Sequence, residues 1–366
     1  MKVYKILLAV LVAGLLFSCK NQDVSFPDFD YTTVYFANQY PLRTLELGED
    51  TQVDNSLDNE HKVKIMATMG GVYANNEDRV ISISVDETLC NGVSFVGGSE
   101  ILPMPANYYS LEANQIVIKS GDILGGVVVQ LTDAFFNDPL AITQKYVIPL
   151  VMTGVTNADS ILSGKAIVAN PNRVVSSGWE IAPKDYVLYA IKYVNAWDAN
   201  YLRRGVDVIT NGANTSTVVR HKEYVEEDEL VELTTLSLSE VKFMPDGYTS
   251  HQGIHLPLSV KFTFNENQKF SVAPEQQSIQ INDSVRVYNI VAQGNGEFVP
   301  DGEKNSIGGF DRDAIYLDYE VAFEVETTFP KSGNAPVIEV QHYATTDTLV
   351  CRDRGIVPEY YNIEVE

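Results

Sequence analysis

The sequence predicts an all-β protein built from two modules. Residues that favour strands are abundant, with 20 Tyr and 15 Phe among 366 residues. Almost no stretch keeps the apolar period of an amphipathic helix, whereas short alternating runs recur along the chain. The length is sufficient for two hydrophobic cores. We therefore expect an N-terminal immunoglobulin-like β-sandwich followed by a larger antiparallel β-barrel of lipocalin-like kind, or by a second sandwich.

Residues 1–18 form a predicted lipoprotein signal peptide. Two lysines precede an apolar run over residues 6–16, which is too short to span a bilayer comfortably. The next residues, Leu16-Phe17-Ser18-Cys19, resemble the lipobox of bacterial lipoproteins. The resemblance implies that residues 1–18 are removed and that the Cys19 thiol carries the lipid. A plain secretory signal with an incidental cysteine is the alternative.

Residues 19–30 are interpreted as a polar tether. Lys20 follows Cys19 at the position where an inner-membrane retention signal would have Asp. Asp23 partly matches the charged surface-export signals of Bacteroidetes lipoproteins. The resemblance implies an outer-membrane protein that faces the cell surface. No later apolar run approaches membrane-spanning length in the sequence, so the lipid is the expected anchor.

The charge of the chain argues against nucleic acid as a partner. The sequence has 26 Lys and Arg against 49 Asp and Glu, which gives a net charge of −23. So acidic a surface repels phosphate backbones. It suits a soluble ectodomain or a neutral ligand, although most of the acidic residues are expected simply to be solvated.

Cysteine usage excludes a fold held together by disulfides. Beyond Cys19 the sequence contains only Cys90 and Cys351. Because the two fall in different predicted modules, we expect two buried free thiols. A Cys90–Cys351 bridge is the alternative.

Strand and turn patterns set the predicted domain boundaries. Residues 31–170 contain short strands punctuated by Gly and Asn, a spacing typical of an immunoglobulin-like sandwich. Residues 171–183 carry Pro, Gly and Ser without a clear strand and are the predicted linker. Residues 184–366 have longer strands and tight turns, as around Asn211-Gly212-Ala213-Asn214. Closure of these strands into a barrel would remove exposed edges.

Several stretches resemble domains of Bacteroidetes lipoproteins. Residues 34–45, 78–80 and 102–111 resemble an N-terminal domain of unknown function that also precedes the catalytic module of an endo-β-N-acetylglucosaminidase. Residues 186–205 resemble the C-terminal domain that often follows it. The resemblance implies a glycan-utilisation system, in which such lipoproteins accompany Sus-type outer-membrane importers. It implies glycan binding at the cell surface and supplies no catalytic residues.

The predicted ligand site lies between residues 193 and 204. Sugar recognition needs flat aromatic rings for pyranose faces, together with amide, carboxylate or guanidinium groups for hydroxyls. This stretch contains both kinds, and Tyr248 belongs to a weaker second cluster. The alternative is that the aromatic residues are core. The candidate ligand-binding residues are Tyr193, Asn195, Trp197, Asp198, Tyr201, Arg203 and Tyr248.

Two other functions remain open in the sequence. Glu226, Asp228 and Glu232 would share one face of a strand, as the carboxylate pair of a glycoside hydrolase requires. A solvated hairpin end explains this acidic run more simply. The third possibility is a structural or fimbrial-type surface protein without a ligand.

No resident cofactor is predicted. The Gly-rich acidic loop over residues 294–313 offers oxygen ligands for Ca²⁺, but it lacks EF-hand spacing, so a solvated loop is the preferred interpretation. Clusters of Cys and His with metal-ligand spacing are absent from the sequence.

Overall fold

The computed structural model describes residues 29–50, 53–250, 252–329 and 334–365. The predicted signal peptide and Cys19 lie outside this range. Almost all regular structure within it is β, which confirms the predicted all-β class. No helix among the described residues is long and apolar enough to cross a membrane.

The secondary structure consists of many strands and a few single helical turns. Helices α1 (Ser56–Asn59) and α2 (Asp133–Phe136) are one turn each. The 3₁₀ turns are Glu87–Cys90, Pro139–Ile142, Ser176–Gly178, Val225–Glu227 and Ile307–Gly309. The strands of the N-terminal half are β1 (Thr33–Tyr35), β2 (Pro41–Glu46), β3 (Lys62–Gly70), β4 (Arg79–Val85), β5 (Val93–Phe95), β6 (Leu102–Pro103), β7 (Tyr109–Leu111), β8 (Gln115–Ile118), β9 (Leu124–Leu131), β10 (Tyr146–Thr156), β11 (Ser160–Ile161), β12 (Lys165–Ala166), β13 (Trp179–Ile181) and β14 (Tyr186–Val194).

The strands of the C-terminal half are longer. They are β15 (Ala199–Asn211), β16 (Asn214–Arg220), β17 (Glu229–Thr235), β18 (Glu240–Phe243), β19 (Val260–Phe264), β20 (Lys269–Pro274), β21 (Ile279–Asn282), β22 (Val285–Glu303), β23 (Arg312–Phe329), β24 (Asn334–Asp353), β25 (Glu359–Tyr360) and β26 (Ile363–Val365).

The first module is a β-sandwich. One sheet has the order β11-β1-β3-β9-β7, and the other has the order β25-β2-β14-β10-β4-β8 with β6 beside β10. Alternate residues of β3 and β9 point into the space between the sheets, for example Ile65 and Val129, where they meet Ile148 and Leu150 of β10. This alternation of buried and exposed residues is the period-2 signal that the sequence displayed.

Strand β14 belongs to the first module, which corrects the predicted boundary. Tyr186–Val194 pairs antiparallel with β10 and parallel with β2. The predicted linker also packs on the first module, since Val174 is buried and Arg173 binds Asp185 at 3.1 Å. The chain instead crosses to the second module between residues 194 and 199. Sequence alternation identified the strand correctly, but it carries no information about which sheet accepts the strand.

The second module is a closed antiparallel barrel. Eight strands pair in the order β15-β17-β18-β19-β20-β22-β23-β24, and β24 returns to β15. Strands β16 and β21 extend the barrel wall at two edges. The interior is filled by large side chains, including Phe243, Phe262 and Phe323, so the barrel encloses a packed core. A ligand must therefore bind elsewhere than in the barrel interior.

The C-terminal tail returns to the first module. Strand β25 pairs with β2, and β26 pairs with β5. Tyr361 lies between these two strands, packs 4.9 Å from the Phe95 ring, and donates its hydroxyl to the Leu188 carbonyl at 2.6 Å. Strands that precede the barrel along the chain and strands that follow it therefore both belong to the first module.

Both cysteines outside the signal region are free thiols. Cys90 is buried in the first module and Cys351 is half-buried at the end of β24. Burial raises the pKa of each thiol to about 12.

Candidate ligand site at the junction of the two modules

The seven predicted ligand-binding residues are buried and form no open sugar platform. Trp197 is 8% exposed and stacks on Phe264 with ring centroids 3.8 Å apart and planes 7° apart. Its indole nitrogen donates to Gln268 Oε1 at 3.0 Å. The prediction that the Trp197 face meets a sugar is corrected, because Phe264 already covers one face of the ring and little of it reaches solvent.

Asn195 and Asp198 build the crossover between the modules. Asn195 Nδ2 donates to the carbonyls of Ser237 and Glu240 at 2.8 and 2.9 Å. Asp198 Oδ2 accepts from the Thr235 amide and hydroxyl at 2.6 and 2.7 Å. Both polar groups therefore hold the end of β17 and the turn between β17 and β18.

The two flanking tyrosines are structural as well. The Tyr193 hydroxyl donates to the Phe136 carbonyl at 3.0 Å, and the Tyr201 hydroxyl donates to the Trp197 carbonyl at 3.0 Å. Burial raises the pKa of Tyr193 to about 12. A buried phenol needs such a partner, so these hydroxyls are not available to a ligand.

Arg203 and Tyr248 belong to a buried network inside the barrel. Arg203 Nε donates to Asp347 Oδ2 at 2.8 Å, and Nη2 donates to the Tyr319 hydroxyl at 3.2 Å. Tyr248 packs edge-on against Tyr343 at 4.8 Å, and burial raises its pKa. These groups satisfy one another, which is the condition under which charges are found in a core.

The acidic run does not assemble a carboxylate pair. Glu226 lies exposed on a 3₁₀ turn, and Glu232 is exposed on β17. Asp228 is buried, where it accepts from Arg204 Nε and from the Lys222 amide, each at 2.6 Å. The three carboxylates occupy different environments, so the feature that suggested a hydrolase is not present in the fold.

A cavity of about 370 Å³ lies where the first module meets the mouth of the barrel. The first module contributes Gly48, Glu49 and Asp50, and the crossover contributes Ala196. The approach is close, because a Cβ on Gly48 would lie 2.6 Å from the Ala196 Cβ. Only glycine fits there, and its φ of +90° favours glycine too. The barrel contributes Gln268, Phe298, Pro300, Asp301, residues 311–313 and residues 351–354.

The loop between β22 and β23 forms one wall of this junction cavity. The Asp301 amide donates to Asp313 Oδ1 at 2.8 Å, and the Asn305 amide donates to Asp311 Oδ1 at 3.0 Å. Lys304 binds the other oxygen of Asp311 at 3.0 Å. The carboxylates of Asp311 and Asp313 thus bind groups of the loop itself. Within the described ranges no three His, Cys, Asp or Glu side chains are grouped to hold a metal.

Arg352 and Asp353 supply polar groups at the opposite wall. Arg352 Nε donates to Asp353 Oδ2 at 2.6 Å, and Asn200 Nδ2 donates to Oδ1 at 2.7 Å. Burial raises the pKa of Asp353, but these hydrogen bonds outweigh it and the net pKa is lowered. Asp353 is therefore a carboxylate at neutral pH. The pKa of Asp313 is raised, chiefly by burial.

Acidic side chains outnumber basic side chains in the cavity lining. Six carboxylates and three guanidinium groups line it. Ligand anions would meet a net negative cavity, which disfavours them. The mixture of carboxylate, guanidinium and amide groups beside Phe298 and Pro300 suits a neutral, hydroxyl-rich ligand.

The cavity adjoins the predicted stretch but is lined by other residues. Ala196 lies within that stretch, and Gln268, which lines the cavity, is the hydrogen-bond partner of Trp197. Most of the lining comes from residues 298–313 and 351–354, which are distant in sequence. The acidic character of residues 294–313 was the available signal, but a solvated loop was the preferred interpretation of it.

The fold defines a two-module all-β protein with a cavity between the sandwich and the barrel. A model of a domain of unknown function, DUF5627, matches residues 196–355. A second family model, which is described only as an N-terminal domain, matches residues 29–159. No curated protein matches the chain significantly.

A solved structure from Bacteroides ovatus, of unknown function, is 43% identical to this chain, with a TM-score of 0.80 and coverage of 92% of this chain and 100% of that one. The chain belongs to the family of this protein. An auxiliary nutrient binding protein from Bacteroides thetaiotaomicron is 13% identical with a TM-score of 0.35, covering 87% and 95% of the two chains. A further protein of unknown function from Bacteroides ovatus is 10% identical with a TM-score of 0.38, covering 86% and 90%.

Proposed function

We propose that this chain is a non-catalytic glycan-binding protein that holds a neutral oligosaccharide end in the junction cavity. One observation carries the proposal, namely that amide, carboxylate and guanidinium groups converge with Phe298 and Pro300 in one cavity of about 370 Å³. That volume is within the range of small-molecule sites and admits about one or two sugar rings.

Three side chains supply the recognition in this proposal. Gln268 is exposed, and its Oε1 accepts from the Trp197 indole, so its amide nitrogen is the group that donates to the ligand in this proposal. Arg352 has its Nε engaged by Asp353, so its terminal nitrogens donate to sugar hydroxyls. Phe298 covers the apolar face of a ring. Planar groups held by such neighbours lose little entropy on binding.

The proposed location is the outer membrane, facing the cell surface. Support comes from the lipobox resemblance at Cys19 and from a family member in Bacteroides ovatus. The mature chain would capture oligosaccharides beside a Sus-type importer. Because Glu226 and Asp228 precede β17 and only Glu232 lies on it, the three carboxylates do not share a strand face, which was the pattern that suggested a hydrolase.

The test is a glycan screen with residues 20–366, followed by calorimetry on each hit. Gln268→Ala and Arg352→Ala should each weaken binding tenfold or more. Lys165→Ala is the matched control, because Lys165 is an exposed cation on β12 and does not line the cavity. Its affinity should stay within twofold of wild type.

Three results would overturn the proposal. They are the absence of binding to plant, host and microbial glycans, binding that both cavity variants leave intact, and release of shortened products from a bound glycan. The last result would restore the hydrolase hypothesis.

A further inference from the structure

Strand β16 forms an unprotected edge of the barrel wall. It pairs with β15 alone, and its opposite edge has no strand partner among the described residues. All side chains from Asn214 to Val219 are exposed, and Val219 is 59% exposed. Proteins usually protect such edges with lysine, proline, a bulge or a covering segment, and β16 has none of these over residues 214–219.

The turn that precedes β16 sets the direction of its backbone groups. Gly212 and Ala213 form a two-residue turn, and Asn211 pairs with Asn214. The pair that flanks such a turn exchanges hydrogen bonds across the hairpin. Alternation along the strand then directs the N–H and C=O groups of Thr215, Thr217 and Val219 away from β15. Three residues thus offer unpaired donors and acceptors in a row.

The sequence of this edge suits a second copy of itself. The chain has a net charge of −23, yet residues 208–219 contain no charged side chain. Antiparallel self-pairing centred on Thr217 places Thr215 opposite Val219 and Asn214 opposite Arg220. The one charged residue of the strand therefore meets a neutral amide, and no like charges face each other.

We propose that two copies of this chain associate through β16 about a two-fold axis, which joins their barrel walls into one continuous sheet. The pairs 215–219, 217–217 and 219–215 then exchange six backbone hydrogen bonds. This is strand addition with an isologous partner. The exposed Val206, which pairs with Val219 on the neighbouring strand, extends the contact on the outer face.

Sedimentation of residues 20–366 between about 1 and 100 µM tests this proposal. The protein without the lipid should convert from monomer to dimer across this range. Thr217→Pro removes one outward N–H without removing a hydrogen bond to β15, so this variant should remain monomeric. Thr217→Val keeps the N–H and the strand preference, and it should dimerise like wild type.

Circular dichroism and thermal unfolding show whether Thr217→Pro folds. Should it fail to fold, Thr215→Pro makes the same change nearer the hairpin tip and takes its place. A wild-type protein that is monomeric at 100 µM overturns the proposal. So does a dimer that survives the proline variant, or one that Thr217→Val also abolishes.

Discussion

Arg354 Nε lies 3.3 Å from Glu46 Oε1, which joins the end of the last barrel strand to a strand of the sandwich. Both side chains are buried. The same guanidinium donates from Nη2 to the Asn195 and Leu47 carbonyls at 2.7 and 3.1 Å. One residue therefore holds the barrel, the crossover and the sandwich together at the floor of the junction cavity.

Arg354→Met is expected to destabilise the protein by about 3–5 kcal/mol at pH 8, because it leaves the Glu46 carboxylate buried without its partner. Urea unfolding followed by tryptophan fluorescence measures the loss. Arg352→Met is the control, since that arginine is 41% exposed and its ion pair should contribute at most about 1 kcal/mol. Equal losses in the two variants would show that Arg354 is not a junction residue.

Glu46 should make the stability depend on pH. Burial raises the pKa of Glu46 from 4.5 to about 7; Arg354 lowers it, and the hydrogen bond with Asp50 raises it. Between pH 4.5 and about pH 7 the folded protein keeps a proton on Glu46 that the unfolded chain has released. The resulting contribution to the free energy of unfolding is fully present below pH 4.5 and is lost as pH rises through about 7.

Glu46→Gln removes this titration. Relative to the variant, wild-type protein should lose up to roughly 3 kcal/mol of unfolding free energy between pH 5 and pH 8. Urea unfolding curves at half-unit pH steps give the comparison. Parallel pH profiles for the two proteins would show that Glu46 does not titrate in this range.

Trp197→Ala is expected to cost about 3–5 kcal/mol of stability, because the ring is stacked in the barrel core on Phe264. Trp197→Phe keeps an aromatic ring there and should cost less than about 2 kcal/mol. The phenylalanine variant lacks the indole N–H that holds Gln268 Oε1, so it should weaken glycan binding, but by less than Gln268→Ala does. A loss of binding larger than that of Gln268→Ala at unchanged stability would show that the indole itself contacts the ligand.

The two free thiols should be inert in the folded protein. The pKa of Cys90 and of Cys351 is raised to about 12, chiefly by burial, so little thiolate exists at pH 8. Ellman's reagent should label the native protein roughly a thousandfold more slowly than the unfolded protein. Rapid labelling of one thiol in wild type but not in Cys351→Ser would identify Cys351 as accessible from the junction cavity.

Local patterns predicted the strands but not their partners. Residues 314–325 alternate, and they fall inside β23 with the same faces buried and exposed. Tyr186–Val194 was also recognised as a strand, yet its position between β2 and β10 depends on contacts with residues far away in sequence. Closure of the barrel was predicted from the number of strands and the need to cover edges, and the β15–β24 pairing confirms it.

The candidate site could not be predicted in the same way. A cluster of aromatic and polar residues near Trp197 has the composition of a sugar site and equally that of a packed crossover, because both need rings and hydrogen-bonding groups. Burial decides between them, and burial is a property of the fold. The cavity lining comes from residues such as Asp50, Gln268 and Arg352, which share no local motif.

The return of the tail to the sandwich makes the barrel an insertion rather than an appendage. The barrel is connected to the sandwich at both of its ends, by residues 195–198 and by the segment that leads into β25 and β26. A domain on one linker can swivel freely, whereas a domain on two connections can only hinge about the line between them. The junction cavity lies beside these connections, so its two walls should keep a nearly fixed separation while the barrel moves with the sandwich as one body.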